Sequence, residues 1–227
     1  MVMKKLDLRL FRMIKTTKGQ YIAVLTIIIA GIFIFTAVSN SAMNLKDSKN
    51  DYYAETNFAD IFVQGLSIPE KLERELPGTN NIKQADARIV FDTHFITEDK
   101  DENVKVRVVS VDKNQNLINK LFIKSGDRTL SNNKDIIIIE KFAEARNIFV
   151  GDTVKLRING RQQEFNVIGI ATSSEFAYMM ENEQTILPDP QNFGVVFLEE
   201  NYLRKIHGIN GNFNEILIKV KDENYIE

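Results

Sequence analysis

From Gly19 to Leu45 the chain carries no charged residue, and its apolar centre reads YIAVLTIIIAGIFIFTAV from Tyr21 to Val38. A bilayer core of about 30 Å needs roughly 20 apolar residues at 1.5 Å rise per residue. The run is apolar on every helical face, which suits lipid and neighbouring helices better than one side of a soluble core. It predicts a transmembrane helix over 21–43. With no ionisable group, the segment offers no ion or proton pathway of its own. Lys4, Lys5, Arg9, Arg12, Lys15 and Lys18 precede the run, and only Lys46 and Lys49 follow it closely. That bias predicts a cytoplasmic N-terminus, with residues after about 45 outside. Ala37-Val-Ser39 has the small residues of a signal-peptide cleavage site. The leader is too long, however, and the apolar run exceeds the roughly 7–15 residues of a signal core, so an uncleaved anchor is expected. In the leader, Met3, Leu6, Leu10 and Met13 recur at threes and fours, with Arg9, Arg12 and Lys15 off that stripe. Residues 1–20 therefore read as a basic amphipathic segment on the inner membrane surface, and the lipid bilayer is an expected partner.

Charge separates this leader from the rest. Residues 1–45 hold six bases and one acid, a net +5; since the whole chain carries -2, the remainder carries -7. A basic leader ahead of an acidic domain argues against nucleic acid as a partner, where the folded part itself should be basic. The chain has no Cys, which excludes disulfides, thiolate metal sites and a cysteine nucleophile.

Beyond a polar stretch from Asn44 to Glu55, the patterns alternate between strand and helix. Ala59–Val63 predicts a strand. Ser67-Ile-Pro-Glu70 fits a capping box opening a helix that buries Leu72 and Leu76 and stops at Pro77-Gly78. Residues 87–97 alternate as one half-buried strand, with Ile89, Phe91 and Phe95 inward and Arg88, Asp92 and His94 outward. Val104, Val106 and Val108 form the next strand, and the slip in parity at Val108-Val109 predicts a bulge or an end of pairing. Asp112–Asn119 reads as a polar connection or short helix. Ile136–Ile139 predicts a strand buried on both faces. A short helix follows from Glu140 to Asn147, with Phe142 and Ala145 inward. Asn159-Gly160 marks a two-residue hairpin turn. That register sets Ile158 against Arg161, Leu156 against Gln163 and Val154 against Phe165, with Lys155 opposite Glu164 on the other face. Gly194–Leu198 is another strand, Glu199–Ile206 a helix stopped by Gly208, and Phe213–Lys221 a last strand. Strands and helices mixed with hairpins make the fold class α+β. The chain stops at Asn224-Tyr-Ile-Glu227 without a tail, which reads as a cut within a longer protein.

Chemistry is sparse. There is no GxxxxGK[ST] phosphate loop, so nucleotide hydrolysis would belong to a partner. His94 and His207 are the only histidines. His94 sits on a polar strand face with no nucleophile or oxyanion group beside it, and His207 suits a helix C-terminus. Asp99, Asp101 and Glu102 fail the calcium-loop spacing, since Val104 stands where Gly is needed. No catalytic, cofactor or metal residues are expected, and the chain is not read as an enzyme. Phe176, Tyr178, Met179 and Met180 follow Ser173-Ser-Glu175 in a connection, and adaptable Met and aromatic groups make them a candidate partner contact.

One series of motifs is specific in its order. AGIFIFTAV lies in the apolar run, YYAETNFADIFV spans Tyr52–Val63, Phe149-Val-Gly-Asp-Thr-Val154 precedes the hairpin, Val167-Ile-Gly-Ile170 follows it, and VVFLEENYL spans Val195–Leu203. The series resembles FtsX-like ABC transporter permeases with a MacB-type extracytoplasmic core domain. The resemblance implies one transmembrane helix followed by a two-lobed mixed α/β domain over 46–227. A first lobe of 50–112 plus 190–227 would carry an inserted β-rich lobe of 113–189. It also implies a non-catalytic permease subunit that pairs as a homodimer or heterodimer. Such a subunit couples ATP hydrolysis by a cytoplasmic ABC ATPase to movement of the outer domain, for export or mechanotransmission. The later membrane helices of such permeases are absent from this sequence, so it is not expected to transport alone. A different reading is a single-span sensor or ligand-binding ectodomain, which predicts a concave pocket with converging polar groups. An anchored exported enzyme would need a clustered site that the sequence lacks.

Overall fold

The computed structural model describes residues 5–79, 81–98, 102–112, 118–181, 187–207 and 212–222. Gly208, Asp99 and Asp101, and most of the connection expected over 112–119, lie outside the described residues. The chain packs as two compact units, Met1–Asp51 and Tyr52–Glu227.

At the N-terminus, helix α1 (Lys5–Thr16) is followed by helix α2 (Lys18–Glu55), which buries none of its residues. Helix α2 is long and apolar enough to cross a membrane, the one such helix among the described residues. The helix does not stop where the apolar run does. Asn44–Glu55 contains neither Gly nor Pro, so the polar stretch stays helical. It ends in a Schellman motif. Asn57 takes a left-handed φ of 50°, Asn57 N–H donates to Ala54 O at 3.2 Å, and Phe58 N–H donates to Tyr53 O at 2.8 Å.

Among the described residues, the second unit contains two sheets. The smaller has the antiparallel order β1 (Ile61–Pro69), β10 (Asn212–Val220), β2 (Ile82–Arg88). Between β1 and β2 lie helix α3 (Lys71–Glu75) and a 3-10 turn over Leu76–Gly78. The expected capping box does not form. Ser67 and Pro69 belong to β1, and Glu70 caps without a side-chain hydrogen bond, because pairing with Phe213 and Asn212 extends the strand through Ile68 and Pro69. Leu72 and Leu76 pack against the core, as their spacing predicts.

The larger sheet has the order β5 (Phe122–Gly126), β8 (Arg161–Thr172), β6 (Asp135–Ile139), β9 (Phe193–Glu199), β4 (Val104–Val111), β3 (Val90–Phe95), β7 (Thr153–Ile158). A further pairing of β7 with β8 closes six of these strands into a ring. Two joints of the ring are parallel, β4–β9 and β6–β8. The narrowest joint is β3–β7, where Phe95 pairs with Leu156 and Ile96 N–H donates to Lys155 O at 2.8 Å. Helices α4 (Glu140–Arg146) and α5 (Glu200–His207) follow β6 and β9 directly. The segment 113–189 supplies β5 to β8, so it meets the flanking strands β3, β4 and β9 within one sheet.

Local readings explain much of this ring. The hairpin has the expected register at all four pairs, Lys155 lies 3.3 Å from Glu164, and Asn159 and Gly160 both have positive φ, as a twisted two-residue turn requires. All of β6 is buried, with sheet neighbours on both sides. Gly194 is fixed by packing: a Cβ there would lie 2.3 Å from the ring of Phe142. Two expectations fail. The strand read over 87–97 breaks at Ile89, whose N–H donates to Ser110 Oγ, so Arg88 ends one sheet and Val90 begins the other. No bulge forms at Val108-Val109. Both residues are buried, and β4 runs in unbroken register beside β3 and β9, because both faces of the sheet are covered there.

Candidate functional site

Where the two sheets meet, Arg88 ends β2 with its side chain buried, only 3% exposed. Sequence alternation placed this side chain outward; the strand break at Ile89 turns it in. Its partners come from distant segments. Arg88 Nε donates to Glu215 Oε2 on β10, and Arg88 Nη1 donates to Glu175 Oε2 at 2.7 Å in the segment after β8. Asn119 Nδ2 donates to the same Glu175 oxygen at 2.8 Å, and Gln64 Nε2 on β1 donates to Glu215 Oε1 at 2.8 Å. Register explains the row. Gln64 pairs with Glu215 and Glu215 pairs with Arg88, so the three project from one face of the small sheet. Burial works against the charge of Arg88, but Glu175 and Glu215 outweigh it and hold the guanidinium above its ordinary pKa. The cluster is therefore a salt-bridged joint between two strands of the small sheet and the segment leaving β8.

An open groove of about 970 Å³ lies against this joint, with Phe62, Leu66, Phe91 and Met180 as apolar walls and Glu175 and Glu215 at its polar end. A small chamber of about 30 Å³ adjoins Arg88, Asn119, Ser173 and Glu175, room for a water or two. The candidate contact residues divide around these features. Tyr178 and Met180 are exposed, and Met180 lines the groove. Phe176 is half-buried, tilted against Phe197 at 6.2 Å. Met179 is a core residue, 4% exposed, and leaves the contact set. His94 is exposed on β3 opposite Lys105, and Asp92 pairs with Arg107 at 2.8 Å.

A second cluster joins α3 to α5. Arg204 Nη1 donates to Glu70 at 3.1 Å, Arg204 Nε donates to Glu200 at 2.9 Å, and the guanidinium lies 4.3 Å over the Phe213 ring. Burial pushes the Glu200 carboxyl up to about 7 against the pull of Arg204. Burial also raises Glu73, whose Oε1 accepts from Ala87 N–H.

Against protein-family models, residues 19–227 match the MacB-like periplasmic core domain. The chain belongs to that family. This MacB-like chain is also similar to two solved extracytoplasmic domains. One is the extracellular domain of the noncanonic ABC-type transporter YknZ from Gram-positive bacteria, at 19% identity and TM-score 0.47, over 70% of this chain and 76% of that one. The other is the periplasmic region of MacB from Actinobacillus actinomycetemcomitans, at 14% identity and TM-score 0.42, over 70% and 67%. No curated protein matches.

The motifs that carried the sequence resemblance have structural jobs in the MacB-like domain. In Phe149–Val154, Gly151 takes φ 98° and Asp152 accepts from Phe149 N–H at 2.8 Å, which turns the chain into β7. In Val167–Ile170, Gly169 lets Asp127 O approach so closely that a Cβ would sit 2.4 Å from it. The buried joint of Arg88, Glu175 and Glu215 escaped sequence reading, since its members stand far apart in the chain.

Proposed function

We propose that this chain is part of a permease subunit of an ABC transporter, and that its outer domain is moved by a partner ATPase. What supports the reading is that one family match runs from within helix α2 to the end of the folded domain, so span and domain belong together. The N-terminus, residues 1–20, lies in the cytoplasm, 21–43 cross the bilayer, and 46–227 stand outside, the orientation that the basic leader favours. The subunit is non-catalytic and pairs with a second permease. The ATPase acts on the outer domain by binding one arrangement of the helices better in its ATP-bound state. The segment 113–189 takes part as an insert fused into the ring of strands, and Tyr178 and Met180, with Phe176 behind them, form its partner contact.

The test is reconstitution of the whole permease with a cytoplasmic ABC ATPase in lipid nanodiscs. The expected outcome is a stable complex whose ATPase rate falls several-fold when Tyr178→Ala and Met180→Ala are combined. Failure of every ABC ATPase of the same cell to co-purify would overturn it, as would labelling of residue 63 from the cytoplasmic side.

A further inference from the structure

Of the ten described strands, β1 alone contains no charged residue: it reads IFVQGLSIP. Most of it is exposed, with Phe62 39%, Val63 41% and Leu66 104% exposed. Its one strand neighbour among the described residues is β10. Half of its backbone N–H and C=O groups therefore point to an open edge, the arrangement that invites another strand. Such edges are ordinarily blunted by a lysine, an inward charge, a bulge or a proline; β1 carries no charge, and its register shift and Pro69 blunt only the stretch after Gln64, which leaves Ile61–Gln64 open. The acids that flank it are paired. Asp60 is held by Lys219, and Glu70 by Arg204.

We propose that the β1 edge is a seam between two copies of this chain, joined antiparallel about a two-fold axis. Charge selects the occupant. Around a two-fold, each residue faces its own counterpart or a near neighbour, so any charge near the axis opposes itself. An edge free of charge, with the flanking acids paired, loses nothing by meeting itself and offers nothing to a charged foreign strand. Length selects closure. The pairing with β10 shifts register between Gln64 and Ile68, and Pro69 ends the strand, so only Ile61–Gln64 is regular. Four residues suffice for a closed pair and are too short for an open-ended stack. Phe62 and Leu66 line the groove beside the Arg88 joint, so the added strand covers the open side of that groove. The inference deepens the pairing of permeases by naming where two outer domains meet.

The chain lacks Cys, which makes disulfide trapping specific. Single cysteines at Ile61, Phe62, Val63 and Gln64 are introduced into the full chain in lipid nanodiscs and oxidised. Dimer yield should peak at one or two adjacent positions, because only residues next to the axis bring their Cα atoms within the roughly 7 Å that a disulfide spans. Cysteines at the exposed Glu75 and Thr153 should not couple. A lysine at Val63 or Leu66, whichever leaves the best cysteine in place, should lower the yield about tenfold through like charges across the seam. Circular dichroism checks that the lysine variant folds, and the cysteine series stands without it. Equal yields at all positions, coupling to another protein, or no coupling along β1 would overturn the seam. A chain that still runs as a dimer without β1 coupling would leave the permease reading intact and remove this one.

Discussion

The two sheets of the outer domain handle their edges in opposite ways. In the larger sheet, β8 has β6 along one side and β7 then β5 along the other, and six strands close on themselves. In the smaller sheet, β1 has a strand on one side only among the described residues. Closure lets the ring hide continuous aliphatic runs such as Ile136–Ile139, and the strand left at the edge of this sheet, β5, carries Lys124. The small sheet lacks strands to close. Its face carries a polar row instead, the exposed Gln64 followed by the buried ion pair of Glu215 and Arg88, anchored by Glu175 from outside the sheet. One half of the domain is therefore held by packing and topology, the other by a salt-bridge joint.

The largest effect should come from breaking that joint. Arg88→Met leaves Glu175 and Glu215 without their cation and should cost about 3–5 kcal/mol, read as a lower midpoint in denaturant for the full chain in detergent. Next is the ring, where packing governs. Gly194→Ala drives a methyl into Phe142 and should cost about 1–3 kcal/mol in the same assay. The α3–α5 cluster gives a pH test of the small sheet's flank. Glu200 binds its proton more tightly in the folded chain, at about 7 against an ordinary 4.5. Its contribution is fully present below pH 4.5 and is lost as pH rises through 7, so melting temperature should fall across that window. Glu200→Gln should flatten the slope; an unchanged slope would place the titration elsewhere. The smallest effect should be at the exposed hairpin pair. Lys155→Gln should change stability by under about 0.5 kcal/mol, and a larger loss would show that the ring also depends on surface charge.

How much could be read from the sequence follows the same division. The hairpin was legible because its turn chemistry, apolar alternation and opposed charges all lie within a short stretch and agree on one register. Helix α4 and strand β6 were legible from local composition, although the alanine that α4 buries beside Phe142 is Ala143 and not Ala145. The Arg88 joint was not, since its partners stand 87 and 127 residues away and an arginine in an alternating strand reads as solvated. Ser67 was misread for a similar reason: a local capping pattern lost to pairing with a strand near the far end of the chain. Ring closure has no local signature either, as it depends on Phe95 meeting Leu156.

The pairing of β1 with β10 also bears on how the chain is made. Ile61 meets Ile218, so the first strand leaves the ribosome roughly 150 residues before its neighbour. At about 5–20 residues per second that is a wait of roughly 8–30 s. Throughout it, an uncharged, β-prone segment has both flanks bare, just after the apolar helix has emerged. Maturation of this domain should therefore depend on whatever shields Ile61–Ile68 in that interval, and slowing translation downstream of β1 should lower the yield of folded chain more than slowing it upstream.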